Sequence, residues 1–180
     1  PMWIADMDFL CPPEITKPMA QRIDEGIFGY TDTPQSLTDT FIEKTKHNTG
    51  WQIENDWVVW VPGGVVGLNI ACKTVLAPGD MAMVPSPIYA PFSEAPENME
   101  RGFVKTYLND CDGRLTFDFE AIRTLLTEDT KLLFLCNPHN PGGSVFSKEE
   151  LSEISSICEE KGIIVCSDEI HSDLVLEKGL

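Results

Sequence analysis

The sequence has 180 residues, which is enough for one ordinary domain or for a large part of a bigger one. Its hydrophobic fraction of 42% is that of a globular protein, and its formal net charge of −16 argues against nucleic acid or an anionic membrane as a partner. Because it contains neither an apolar stretch long enough to span a bilayer nor a signal-peptide pattern, we expect a cytoplasmic protein.

The N-terminal stretch differs from the rest of the chain. The sequence MWIADMDF at 2–9 combines two carboxylates with two aromatic residues, and Pro12-Pro13 then leads into an amphipathic segment that ends near Gly26. We expect residues 1–27 to form an N-terminal arm, and residues 28–180 to form part of one large domain.

Strand and helix patterns alternate from about residue 57 onward. Apolar runs predict five strands of parallel type, at 57–62, 81–87, 102–108, 132–137 and 163–169, and the last two are expected to be buried. Helical apolar spacing predicts helices at 66–76 and 119–126, and a capping box formed by Ser147 and Glu150 begins another helix that ends at Gly162. This alternation predicts a three-layer α/β sandwich with a mostly parallel sheet.

Polar and glycine-rich segments follow the predicted strands. They are Gly63-Gly64 and the residues at 86–89, 137–143 and 168–171. Ligands of parallel sheets bind beyond the carboxyl ends of the strands, so we expect these four segments to surround a binding site.

Two motifs carry the strongest chemical signal, CNPHNPGG at 136–143 and VCSDEIH at 165–171. Asp168 ends an apolar strand and needs a partner, which a protonated pyridine nitrogen supplies; the alternatives are a helix cap or an arginine pair. The Asn140 amide and the His171 imidazole can both reach a phenolic oxygen on the same ring. Taken singly, the Asn-Pro pairs indicate only an ordinary turn, and His171 alone is better explained as a structural histidine. Together they predict pyridoxal phosphate as the cofactor.

Three further positions fit the same cofactor. Gly63-Gly64-Val65 lies at a strand-to-helix turn whose free amides attract a phosphate, although a tight turn alone also uses glycine, and no G-x-G-x-x-G dinucleotide pattern is present. Tyr89 can stack on a pyridine face, or it is an ordinary tyrosine at the rim of the core. Tyr30 can donate to a phosphate, or it packs locally beside Phe28.

The six cysteines form no C-x-x-C pair, and the three histidines show no metal-ligand spacing. We therefore expect reduced, mostly buried cysteines and no metal site.

With these residues assembled, the chain resembles the fold-type I pyridoxal-phosphate enzymes of the class I/II aminotransferase family, and more narrowly the MalY/PatB-type carbon–sulfur β-lyases. The segments that carry the resemblance are MWIADMDF, GIFGYTD, CNPHNPGG and SDEIHSDL, in this order along the chain. The resemblance implies the large-domain fold of pyridoxal-phosphate transferases, here truncated.

The resemblance also implies roles for single residues. Asn140 and His171 belong at the phenolic oxygen, Asp168 at the ring nitrogen and Tyr89 on the ring face. Gly63, Gly64 and Val65 align with the phosphate-binding turn, and Tyr30 with a tyrosine that reaches the phosphate in the neighbouring subunit of a homodimer. Trp3, Asp6 and Asp8 are expected near the substrate.

The family's Schiff-base lysine belongs to a Ser-x-Ser-Lys-type motif that is expected beyond SDEIHSDL, so this chain by itself is expected to be inactive. The resemblance implies a parent enzyme that cleaves cystathionine or related cysteine S-conjugates to pyruvate, ammonia and a thiol. An aminotransferase on the same fold is the first alternative. A catalytically inactive regulatory or binding module, or a fragment, is the second.

Overall fold

The computed structural model describes residues 7–175. The chain forms two compact units, one up to Trp60 and one from Val61 onward. The prediction that an N-terminal arm ends at residue 27 and a large domain begins at residue 28 stays a prediction.

The first unit is helical. It contains α1 (Pro13–Glu25), α2 (Gln35–Thr49) and a 3-10 turn at Asn55–Trp57. Both helices end at a glycine in the left-handed conformation, Gly26 after α1 and Gly50 after α2, where a side chain would be strained. The Trp60 indole donates a hydrogen bond to the Thr38 hydroxyl on α2 over 3.1 Å.

The second unit contains the sheet. Its elements are α3 (Gly64–Val75), β1 (Met81–Ser86), α4 (Pro91–Asn98), β2 (Gly102–Tyr107), β3 (Asn109–Cys111), β4 (Arg114–Thr116), α5 (Phe119–Leu125), β5 (Thr130–Cys136), α6 (Lys148–Lys161), β6 (Ile164–Asp168) and a 3-10 turn at Ser172–Leu174. The main sheet has the strand order β2-β1-β5-β6, and every neighbouring pair is parallel. Strands β3 and β4 form a separate antiparallel hairpin.

Alternating side chains of the sheet face two different cores. On one face, Val84 of β1 and Phe134 of β5 pack with residues of α3 and α4. On the other face, Met83 and Leu133 pack with α5 and α6, including Ile154. The three-layer α/β sandwich with a mostly parallel sheet is therefore confirmed.

Local signals also placed several elements correctly. Helix α6 begins with the predicted capping box, in which Ser147 accepts from the Glu150 amide and Glu150 accepts from the Ser147 amide. It ends at Gly162, whose φ of 65° is left-handed. Helix α4, which has prolines at 91 and 96, and the β3–β4 hairpin were not predicted from the sequence.

The prediction of a strand at 57–62 was wrong. Within residues 7–175 no segment pairs with this run, which forms part of a 3-10 turn and then extended chain. Val59 is 76% exposed. A β-branched and aromatic run has strand propensity, but a strand forms only where a neighbouring strand takes up its backbone hydrogen bonds.

The prediction of a buried strand at 163–169 was also wrong in part. A strand is present, but β6 lies at an edge of the sheet and Ile164 is 55% exposed. An apolar run indicates that a strand is present. Whether that strand is buried depends on the strands and helices that pack against it from elsewhere in the chain.

Candidate functional site

The carboxyl ends of β1 and β5 mark the point where the sheet changes direction. From β1 the chain crosses through α4 to β2 on one side, while β5 pairs with the other side of β1. In open α/β sheets such a switch point opens a crevice between the two following loops. The loops are 87–90 and 137–147, and the Tyr89 amide donates to the Asn140 carbonyl over 3.0 Å. The sequence placed these loops at one edge, and the strand order makes them neighbours.

A compact turn after β5 carries Asn140. The Asn140 amide donates to the Cys136 thiol over 3.4 Å, and the Asn137 side chain accepts from the Phe146 amide over 3.0 Å. Both Asn-Pro bonds of the turn, before Pro138 and Pro141, are cis. The backbone of Asn140 is thus held on both sides, while its side-chain amide forms no hydrogen bond with the described residues.

Asn140 and His171 share a cavity of about 290 Å³. Its other lining residues are His139, Pro141, Gly143 and Leu174. The two side chains predicted to reach one oxygen therefore lie at the same cavity, although they come from different loops. A larger cavity of about 610 Å³ lies against α6, is lined by residues such as Lys148 and Ser152, and contains Asn137 but none of the predicted site residues.

Asp168 ends β6 beside the same turn. Its carbonyl accepts from the Asn137 amide over 3.0 Å, and its Oδ1 accepts from the Ile170 amide over 3.0 Å. The second carboxylate oxygen has no hydrogen-bond partner within residues 7–175, nor does an arginine there pair with this side chain. One oxygen thus stabilises the local turn, and the other is available to a ligand; among the described residues Asp168 neither caps a helix nor pairs with an arginine, which were the two alternative interpretations.

The start of α3 supplies backbone donors. Gly63 has a φ of 122°, which glycine adopts without strain, and no side chain caps the helix. The amides of the first turn, including Gly64 and Val65, therefore lack intrahelical acceptors and suit an anion such as a phosphate. No hydrogen bond links 63–65 to Asn140, Asp168 or His171 among the described residues.

The remaining predicted positions are less constrained. Tyr89 is half-exposed, and Tyr30, which belongs to the first unit, is fully exposed. Asp8 is exposed at the beginning of the described region, whereas Trp3 and Asp6 lie outside the described residues.

Sequence reasoning missed the residues that hold the turn. The buried Cys136 thiol accepts from Asn140 and donates to the Pro138 carbonyl over 3.5 Å. Burial raises the pKa of Cys136, so the thiol keeps the proton that it donates. His139 is buried between the two Asn-Pro pairs. The sequence signal was its position inside CNPHNPGG, but no role was predicted for it from the sequence.

The β3–β4 hairpin also supports the turn. The Leu115 amide donates to the Ser144 hydroxyl over 2.8 Å, and Arg114 donates to the Val145 carbonyl over 3.0 Å and to the Glu150 carboxylate. These contacts join the hairpin to the beginning of α6.

All six cysteines are free, but only three of them (Cys72, Cys136 and Cys158) are buried, so the expectation of mostly buried cysteines was wrong for Cys11 and Cys111, which are exposed. Burial raises the pKa of Cys72 and Cys158 to about 11. Within residues 7–175 no group of acidic, histidine or cysteine side chains is arranged to hold a metal ion, and no helix there is long and apolar enough to cross a membrane.

Comparison with known proteins now decides the family. The sequence model of the family described as aminotransferase class I and II matches residues 4–179. The chain belongs to this family. It is 41% identical over 177 residues to a protein named cystathionine beta-lyase PatB from Bacillus subtilis, covering 98% of this chain and 46% of that protein.

Solved structures agree with this assignment. The PLP-bound C-S lyase from Staphylococcus hominis superposes with a TM-score of 0.90 at 33% identity, covering 99% of this chain and 46% of that one. A PLP-bound putative aminotransferase from Clostridium difficile gives a TM-score of 0.91 at 34% identity, covering 99% and 46%. The fold of the large domain in pyridoxal-phosphate transferases is thereby confirmed. The chain spans about half the length of the relatives it matches.

Proposed function

We propose that the protein to which this chain belongs is a pyridoxal-phosphate-dependent carbon–sulfur β-lyase. It would cleave cystathionine or related cysteine S-conjugates to pyruvate, ammonia and a thiol. The cavity shared by Asn140 and His171 beside Asp168 is the observation that supports the cofactor. The 41% identity to a relative named cystathionine beta-lyase supports the reaction.

The available donors and acceptors fit the cofactor. The free amides at the start of α3 suit its phosphate, and the unpaired Asp168 oxygen suits a protonated ring nitrogen. Asn140 and His171 would donate to the phenolic oxygen, and Tyr89 would lie on the ring face. When bound, the cofactor supplies an electron-withdrawing ring that stabilises negative charge at the α-carbon of an amino acid.

The protein's own groups would set the charge of the ring. A carboxylate at Asp168 favours the protonated ring nitrogen, and hydrogen bonds from Asn140 and His171 favour an ionised phenolic oxygen. We propose that Trp3, Asp6 and Asp8 lie on the substrate side. Because residues 1–180 lack the Ser-x-Ser-Lys motif that the family uses to hold the cofactor, we propose that this chain alone is inactive.

The assay that tests this proposal uses the intact protein with two substrates. With cystathionine, we expect pyruvate and free thiol to appear in equal amounts, and Asp168→Ala to abolish both. With an amino acid and a keto acid, we expect little exchange of the amino group. Exchange without release of thiol would contradict the lyase proposal and favour the aminotransferase, which a solved neighbour of the same fold supports. Failure to bind the cofactor would favour an inactive binding module.

We further propose a cytoplasmic homodimer in which Tyr30 reaches the phosphate bound by the neighbouring subunit. The full exposure of the Tyr30 side chain leaves it available to a partner.

A further inference from the structure

His139 is the most buried polar side chain of the turn that carries Asn140. It is 3% exposed, and its Nδ1 accepts a hydrogen bond from the Gly142 amide over 3.3 Å. Its own amide donates to the Ser144 carbonyl over 2.8 Å, and its carbonyl accepts from the Gly143 amide over 2.7 Å. The backbone and the ring of one residue thus bind three successive amino acids, 142–144.

The imidazole has little freedom to move. Its ring meets the Phe146 ring edge-on, with 5.9 Å between the ring centroids. A Cβ atom added at Gly142 would lie 2.9 Å from its Nδ1 and 2.5 Å from a methyl of Leu115. The ring is therefore packed against the backbone at Gly142, and the hairpin residue Leu115 lies against the same glycine.

The hydrogen bond from Gly142 also selects one protonation state. Because Nδ1 accepts, the proton of a neutral ring is on Nε2, which meets no hydrogen-bond partner of good geometry among the described residues. An imidazolium would present an N–H group to the Gly142 N–H and break this contact. Burial lowers the pKa of His139, and an interaction with the Pro87 backbone opposes this in part, so the ring stays neutral near pH 7.

We propose that His139 is a positioning residue, whose neutral ring holds the backbone of the 139–144 turn so that the Asn140 amide faces the cavity it shares with His171. Asn140 follows His139 directly, and both line this cavity. The inference rests on the proposed function, since it assumes that Asn140 donates to the phenolic oxygen of the cofactor. Donation from Asn140 to the phenolic oxygen is then strengthened by the hydrogen bond that the Nδ1 of His139 accepts from Gly142.

Three variants of the intact protein test the proposal. His139→Phe keeps a ring but removes the acceptor, and His139→Asn places an oxygen near the position of Nδ1. His47→Phe, at an exposed position on α2, is the matched control. The measurements are the dissociation constant of pyridoxal phosphate by equilibrium dialysis and the pH titration of the bound cofactor's absorption.

For His139→Phe we expect about two- to tenfold weaker cofactor binding, because one neutral hydrogen bond that orders the site is lost. The pKa of the bound chromophore should rise, since weaker donation from Asn140 disfavours the ionised phenolic oxygen. His139→Asn should restore most of both values, and His47→Phe should change neither. If His139→Phe and His139→Asn weaken cofactor binding and shift the titration equally, His139 contributes packing alone, and the proposal is overturned.

Two further measurements distinguish a failure of the positioning role of His139 from a failure of the proposed function. If His139→Phe does not fold, ¹⁵N chemical shifts of His139 in the unmodified protein still report the tautomer, and a proton on Nδ1 would overturn the proposal. Asn140→Ala tests the underlying site. If Asn140→Ala shifts the chromophore titration and His139→Phe does not, the positioning role is wrong. If neither variant affects cofactor binding or the titration, the proposed function fails at this site.

Discussion

Among the glycines of the described region, Gly142 has the least room for a side chain. A Cβ there would meet Leu115 at 2.5 Å and His139 at 2.9 Å, well inside van der Waals contact. The second glycine of the CNPHNPGG motif, Gly143, differs in kind, because it has open space but a φ of 67°. The two glycines therefore meet two separate requirements, close packing and a left-handed backbone.

We expect Gly142→Ala to destabilise the protein by roughly 1–3 kcal/mol, because Leu115 and the His139 ring must move to admit the methyl group. Gly29→Ala is the control, since nothing lies within 4 Å of a Cβ at Gly29 and its φ is not left-handed. Urea unfolding measures both variants. If Gly142→Ala is as stable as Gly29→Ala, the turn and the hairpin can rearrange without a cost in free energy, and the expectation is wrong.

Removing the Tyr30 hydroxyl is expected to affect cofactor binding and to leave the fold unchanged. If this exposed side chain donates to the phosphate of a neighbouring subunit, Tyr30→Phe should weaken cofactor binding roughly ten- to a hundredfold, since a hydrogen bond to a charged group contributes about 1.5–3 kcal/mol. Tyr107→Phe, at another exposed tyrosine, is the control. Equilibrium dialysis of the intact protein gives both constants. An unchanged value for Tyr30→Phe would remove this residue from the site and weaken the case for the dimer.

At the scale of elements, the beginning of α6 is the best-secured junction near the site. Glu150 completes the capping box with Ser147 and also pairs with Arg114 from the β3–β4 hairpin. Burial pushes the pKa of Glu150 upward, but the hydrogen bonds from Arg114 and the Ser147 backbone outweigh it, and the net pKa lies below the ordinary value. One carboxylate thus joins the helix, the hairpin and the end of the loop that carries Asn140.

We expect Glu150→Gln to lower the free energy of unfolding at pH 7 by on the order of 1 kcal/mol, a small value because the Arg114 side chain is 42% exposed. Since the folded pKa is lowered, the carboxylate stabilises the fold above the unfolded pKa of about 4.3, and this contribution is lost as the pH falls through the folded pKa.

The difference between Glu150→Gln and the unmodified protein should therefore be largest near neutral pH and shrink below about pH 4. Urea unfolding between pH 3 and 7 measures it. Glu153→Gln is the matched control, because Glu153 pairs with Arg123 and both side chains are nearly half exposed. A difference that grows on acidification would contradict the assigned direction of the Glu150 pKa shift.

At the scale of the whole molecule, the main sheet of the second unit has two edge strands among the described residues, β2 and β6. Strand β5 lies between β1 and β6 and is almost entirely buried, whereas β6 is an edge strand with exposed Ile164 and Val165. An exposed apolar edge offers its unpaired backbone groups to other chains, which makes self-association a hazard.

For the 180-residue chain we expect amide hydrogens of β5 to exchange much more slowly with solvent than those of β6. Amides of β5 are buried between two strands, while β6 pairs with a single strand within residues 7–175. Hydrogen exchange followed by mass spectrometry or NMR measures the protection of each strand. Uniform, fully cooperative protection of β5 and β6 would show that another part of the molecule, or a second copy, covers this edge.

Local patterns in the sequence were enough to identify most of these elements. The apolar run at 132–137, the capping box at Ser147 and the terminal Gly162 act over a few residues, so their effect can be read without a fold. The same holds for the polar motifs at Asn140 and Asp168, because the alternation of strands and helices already places both at the carboxyl ends of parallel strands. The family resemblance rested on these two motifs together with the segments MWIADMDF and GIFGYTD.

Tertiary structure decided what depends on partners far apart in the chain. The strand order β2-β1-β5-β6 placed the switch point beside Asn140, left β6 at an edge and gave the apolar run at 57–62 no neighbour among the described residues. It also buried the ring of His139, for which no role was predicted from the sequence, and placed its Nδ1 where it accepts from the Gly142 amide. Propensity and capping are properties of neighbouring residues, whereas strand pairing, burial and the choice of a histidine tautomer are set by contacts that form only when the chain has folded.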